Sequence, residues 1–137
     1  MVIRRADEET EAGVLPSEEL LDAMSKYNEE LVRAGVMLDG VGLQPSSKGV
    51  KVRFSGGRPA VIDGPFTEAK ELIAGYSVIE AGSLAEVVEL VKRWPKVDGH
   101  GNAQIEIRRV TEIEEFETAS PEAVETEQRI RAARDKA

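Results

Sequence analysis

The chain has 137 residues, a formal net charge of −8 and no cysteine. That length fits one domain with one real core. The missing cysteines exclude disulfides, thiolate metal sites and a cysteine nucleophile, and the acidic balance, without any run of Lys or Arg, argues against a nucleic-acid footprint. Apolar residues make up 41% and aromatics only 4%, so the core is expected to consist of Val, Ile, Leu and Ala. The first residues lack the apolar stretch of a signal peptide, and no run approaches the roughly 20 apolar residues of a membrane span. The expected location is cytoplasmic.

In chain order, Val2 to Ala6 reads as a first strand and acidic Asp7 to Gly13 as a loop. Ser17 can cap a helix whose first turn carries Glu18 and Glu19 at the positive end of its dipole. Leu20, Met24, Tyr27 and Leu31 follow at helical spacing, and Gly35 stops the helix. Val36 to Leu43 is a strand ending before Pro45. Val50 to Phe54 alternates apolar and polar, Ser55-Gly56-Gly57-Arg58 is a tight turn, and Pro59 to Ile62 returns as the second arm of a hairpin. Ile73 to Glu80 is another strand. Ser83 and Glu86 form a capping box for a helix with Leu84, Val87, Val88, Val91 and Trp94 on one face, stopped at Pro95. Lys96 to Asn102 is a loop, and Gln104 to Val110 alternates as a last strand.

From Thr111 onward the chain carries eight acids against four bases. Ser120-Pro121-Glu122 starts a helix at about residue 121, supported by i,i+4 pairs Glu125/Arg129 and Glu127/Arg131. Its thin apolar content predicts light docking on the domain or on a partner, or else a disordered tail. The domain is therefore placed at 1–110 and the acidic extension at 111–137. The element order predicts an α+β domain with helices on one face of an antiparallel sheet, most simply ferredoxin-like. Two core helices leave the other sheet face bare, and a homodimer packing sheet on sheet is the economical cover.

Several residues invite chemistry. Asp63, at the end of an apolar strand, is either a general acid or base, if burial raises its pKa, or an acceptor for the turn amides behind it. Gly64 and Pro65 are turn residues, and Phe66 is an anchor. His100 lies between two glycines, either as a proton shuttle or simply exposed. One histidine without cysteine argues against a metal site, and no cofactor is expected. Glu106 and Arg108 share one face of the last strand, as an ion pair or as a grip on a polar ligand. Tyr76 either points its phenol into a cavity or packs in the sheet. Gly40-Val41-Gly42 lacks the strand-to-helix context of a phosphate loop.

Gly40-Val41-Gly42-Leu43-Gln44-Pro45, Arg53-Phe54-Ser55-Gly56-Gly57, the nine residues Asp63 to Glu71, Leu72-Ile73-Ala74-Gly75-Tyr76 and Ile105-Glu106-Ile107-Arg108 together resemble the YCII-related family. Asp63-Gly64-Pro65-Phe66 points within it to the subgroup named for that motif. The tail, with Glu114-Glu115-Phe116 and Pro121-Glu122, resembles the subgroup too, while the first strand is shorter than in relatives. The resemblance implies a ferredoxin-like fold forming a dimeric α/β barrel. Some relatives carry a first-helix histidine with an aspartate, suspected of acid–base chemistry. Here Ser17 to Ala34 holds no histidine, so that dyad is not carried over. The subgroup is also linked with sigma factors, which implies a role near transcription initiation.

Two expectations follow. One is a domain binding a small polar metabolite, with Asp63 as acid or base and Tyr76, Glu106, Arg108 and His100 around the ligand. The other is an accessory module with a sigma-factor partner, acting through the tail or the dimer surface. Neither involves direct contact with nucleic acid or membrane.

Overall fold

The computed structural model describes residues 1–66 and 71–137. Its strands are β1 Val2–Arg5, β2 Met37–Gly42, β3 Val50–Ser55, β4 Arg58–Asp63, β5 Ile73–Ile79 and β6 Ile105–Ile107. Its helices are α1 Glu8–Glu11, α2 Glu18–Arg33, α3 Leu84–Val91 and α4 Pro121–Asp135. Four strands form one antiparallel sheet in the order β2-β5-β1-β6, and β3 and β4 pair as a separate hairpin. Two β-α-β halves, β1-α2-β2 and β5-α3-β6, thus interleave, with their first strands paired at the centre. This is the ferredoxin-like arrangement expected, with the hairpin inserted between the halves.

Local chemistry explains most boundaries. Ser17 Oγ accepts a hydrogen bond from Leu20 N at 3.1 Å and starts α2. Ser83 Oγ caps α3 through Glu86 N at 3.2 Å, but the Glu86 carboxylate accepts from Gly82 N, one residue before the cap, so the expected reciprocal box is only half formed. Gly56 and Gly57 both take positive φ, as the tight hairpin turn requires.

Two expectations are corrected. Asp7 to Gly13, read as a loop, contains α1. Asp7 Oδ1 accepts from Thr10 N at 2.9 Å while Asp7 N donates to Thr10 Oγ1 at 2.8 Å, a box built on Thr rather than Glu or Gln. The last strand stops at Ile107 instead of Val110, because its ladder on β1 runs only from Ile105 opposite Arg4 to Ile107 opposite Val2.

The core sits between the sheet and α2 with α3. Val2, Tyr27 and Leu31 are buried there. Tyr27 Oη donates to Leu90 O at 2.8 Å, and its ring meets Trp94 edge-on with centroids 5.6 Å apart. That contact ties the two helices together and gives the phenol the partner a buried tyrosine needs. In α4, by contrast, no residue is buried, and the helix reaches the Ile113–Glu115 turn through Gln128 and Arg131 to Glu114.

Candidate functional site

Strand alternation sends Val2 and Arg4 to the helix side of β1 and Ile3 to the opposite side. A charged side chain on the core face must find partners. Arg4 is only 8% exposed, and Asp98 only 7%. Arg4 Nε donates to Asp98 Oδ2 at 2.8 Å and Nη2 to Asp98 Oδ1 at 2.9 Å, the two-pronged geometry that suits guanidinium to carboxylate. Arg4 Nη2 also reaches Asp7 Oδ2 at 3.0 Å, Nη1 donates to Arg5 O, and Trp94 Nε1 donates to Asp98 Oδ2 at 2.9 Å. Among the described residues, no fully buried side-chain nitrogen or oxygen lacks a partner.

The electrostatics follow from these contacts. Loss of water pushes the Asp98 carboxyl up, but the hydrogen bonds from Arg4 and Trp94 outweigh it and hold it below the usual carboxylate range. Asp7 behaves alike, its desolvation offset by the Thr10 amide and Arg4. The bond to Asp98 raises the Arg4 pKa further. One cation thus faces two ionised carboxylates.

A cavity of about 300 Å³ opens beside this cluster, between α2 and the backbone of β2 and β5. α2 contributes Leu20, Leu21, Met24 and Asn28, β2 contributes Met37, and Trp94, Arg4 and Asp98 close one end. Its surface is mostly apolar with a few convergent polar groups, the make-up of small-molecule sites. A wider groove of about 1050 Å³ shares Arg4, Asp98 and Leu20 and runs past Glu9 to His100.

The residues singled out from the sequence scatter. Tyr76 borders the cavity, and its register opposite Val41 and Ile3 sets its ring on the face shared with Glu106. His100, at φ 55°, borders the groove, and its Nε2 lies 3.0 Å from both Glu9 carboxylate oxygens. Glu106 sits 3.6 Å from Arg5 and 3.9 Å from Arg108, a loose surface arrangement. Asp63 ends β4 opposite Val50 and is exposed. Neither cavity is lined by Asp63, Glu106 or Arg108.

The Asp63-Gly64-Pro65-Phe66 turn is knitted to the backbone elsewhere. Gly64 N donates to Gly49 O at 3.0 Å and Phe66 N to Ser46 Oγ at 3.0 Å. Ser46 Oγ donates in turn to Glu11 Oε2 at 2.5 Å, and Ser46 N to Glu11 Oε1 at 3.1 Å. A Cβ on Gly64 would overlap the Ser46 carbonyl, so only glycine fits there. Lys51 Nζ lies 4.2 Å over the half-buried Phe66 ring. Of the nine residues Asp63 to Glu71, Thr67 to Lys70 lie outside the described residues.

Sequence reading missed Arg4, Asp98 and Asn28. Arg4 left one signal, a charge at a core-facing position of a short apolar strand. Asp98 left none, since only the fold brings it beside a strand 94 residues away. Trp94 read as an apolar helix residue, but its indole N–H is part of the cluster. Among the described residues, no group of three or more His, Asp or Glu side chains is arranged to hold a metal ion, and no helix is long and apolar enough to cross a membrane.

Among proteins of known sequence, an uncharacterised protein of Rhizobium meliloti (strain 1021) is 31% identical over 75 residues. The match takes in 55% of this chain and spans 60% of the relative's length. The YCII-related domain matches residues 1–114. The interleaved α+β sheet and a match over that much of the chain agree: this protein belongs to the YCII-related family.

Proposed function

We propose that this domain binds a small metabolite in the cavity between α2 and strands β2 and β5. The observation that carries the reading is a mostly apolar cavity of about 300 Å³ ending on the Arg4–Asp98–Trp94 cluster. Such a cluster gives the cavity a polar end whose charged groups are already bonded to one another. A fragment screen followed by amide chemical shifts tests this. Binders should perturb Leu20, Met24 and Met37, and Met24→Trp, which fills the space, should abolish those shifts. Binders that instead cluster at Asp63, or survive Met24→Trp unchanged, would overturn it. Clustering at Asp63 would instead favour the role proposed for it as acid or base.

The protein works as a homodimer in this reading. On one face of the hairpin, Val50, Val52, Phe54 and Val61 are more than half exposed, with Phe54 at 68% and Val61 at 69%. The opposite face carries Lys51, Arg53 and Arg58. A two-stranded hairpin is marginally stable alone, and an exposed apolar face of this kind calls for cover. A second copy supplies both apolar surface, at Leu38, Val41 and Leu43 beside the sheet edge, and an acidic exterior for the basic face. Light scattering should give twice the 14.9 kDa of one chain, and Phe54→Glu with Val52→Lys should return it to one. A wild-type mass of one chain at all concentrations sinks the dimer.

A regulatory role through residues 111–137 has one observation in its favour: α4 buries none of its residues and so is open to a protein partner. Capture of a sigma factor by the full chain, lost on deleting 111–137, would support it.

A further inference from the structure

The cavity holds two polar side chains that the fold does not use. α2 presents Leu20, Met24 and Asn28 to it at intervals of four residues, so a carboxamide continues an otherwise apolar stripe. Across from α2, Ser77 of β5 is paired with Val2 and shares the helix-side face with it. Both residues are half-buried, and among the described residues neither side chain has a hydrogen-bond partner. Half-buried amides and hydroxyls ordinarily find partners within the protein or in water. No fully buried side-chain nitrogen or oxygen among the described residues lacks a partner, so these two groups are reached through the open cavity. Each neighbouring polar group (Arg4, Asp7, Thr10, Asp98, Trp94) is bonded to another.

We infer that Asn28 and Ser77 select the ligand of this cavity, and that the ligand is a small, mainly apolar molecule with one uncharged hydrogen-bonding group, a carboxamide or an alcohol. The inference rests on the cavity reading above. An asparagine carboxamide offers donors and acceptors at once, and a serine hydroxyl does the same, so together they match a group that also does both. The neighbouring charges decide against an anion. Arg4 is already matched by Asp98 and outnumbered once Asp7 is added, so a carboxylate or phosphate entering here meets a net negative end, with no unpaired cation among the described residues that line the cavity. The apolar body follows from Leu20, Leu21, Met24 and Met37.

A matched series sharing one ring tests this: benzamide, benzyl alcohol, benzoate and toluene, titrated into the full chain and followed by backbone and Asn side-chain amide resonances. Benzamide and benzyl alcohol should shift the Asn28 side-chain amide and bind about tenfold more tightly than benzoate or toluene, the size of one or two added hydrogen bonds. Asn28→Leu and Ser77→Ala should remove that advantage, so that benzamide and benzyl alcohol bind no more tightly than toluene. Both replace an unpartnered polar group by an apolar one, so folding is expected to persist. If Asn28→Leu does not fold, Ser77→Ala and the wild-type series still decide. Equal binding of toluene and benzamide, with both variants silent, overturns the selection while leaving the cavity as a binding site. Preference for benzoate overturns the charge argument and with it the proposed class. Failure of every probe to shift cavity resonances overturns the cavity reading and this inference together.

Discussion

Two polar networks meet the two ends of α1, one at its cap Asp7 and one at Glu11, and they use their hydrogen bonds differently. At the root of the hairpin, Gly64 N, Phe66 N and Ser46 N are all backbone donors, and Glu11, Ser46 and Gly49 receive them. This network fastens a turn to α1 and leaves the Asp63 carboxylate exposed at its edge. Beside α3, Arg4, Asp98 and Trp94 bond side chain to side chain in a buried setting, next to a cavity where Asn28 and Ser77 have no side-chain partner among the described residues. Backbone donors fix a chain path. Side chains directed at a cavity can be redirected to a ligand. The described part of the conspicuous motif spends its amides on fastening a turn, and the inconspicuous cluster borders a cavity.

The contrast is sharpest if the buried network costs most to break. Asp98→Ala leaves the Arg4 guanidinium and the Trp94 indole N–H buried without their acceptor, and should cost about 3–5 kcal/mol in urea unfolding. Gly64→Ala sets a methyl against the Ser46 carbonyl and should cost less, about 1–3 kcal/mol, by forcing the turn to shift. Its effect should stay local, leaving cavity resonances in place. A larger loss at Gly64 than at Asp98, or cavity shifts in Gly64→Ala, would break the comparison and join the two networks into one.

Acid provides a smaller effect that separates them without truncation. Asp98 and Asp7 both have pKa values depressed in the fold, so the stability they contribute is present above their ordinary range and is lost as pH falls below about 4. Urea midpoints measured downward from neutrality should therefore fall more steeply in the wild type than in Asp98→Asn, which has no carboxylate to protonate. Parallel curves for the two would show that the cluster adds nothing on the acid side.

How much was legible depended on how far apart the interacting residues lie. Helix α2 could be read from Ser17, the spacing of Leu20, Met24, Tyr27 and Leu31, and Gly35, because caps and periodicity act within a few residues. The hairpin was legible from Gly56-Gly57 for the same reason. α1 was overlooked because its box pairs Asp7 with Thr10, a variant of the usual residues. Glu106 and Arg108 were read as neighbours on one strand face, but the strand is only three residues long and Arg108 falls just beyond it, 3.9 Å from the Glu106 carboxylate.

The amino-acid sequence by itself determined the order of strands and helices, the α+β class and the family, since each follows from local propensity, patterning or a contiguous motif. Only the tertiary structure decided where chemistry could gather. Arg4 and Asp98 are 94 positions apart, and Asn28 and Ser77 lie on different elements of different halves. No local rule links such residues. They meet because burying the apolar faces of β1, β5, α2 and α3 brings their few polar members to the same place, where loss of water makes each partner, or its absence, matter.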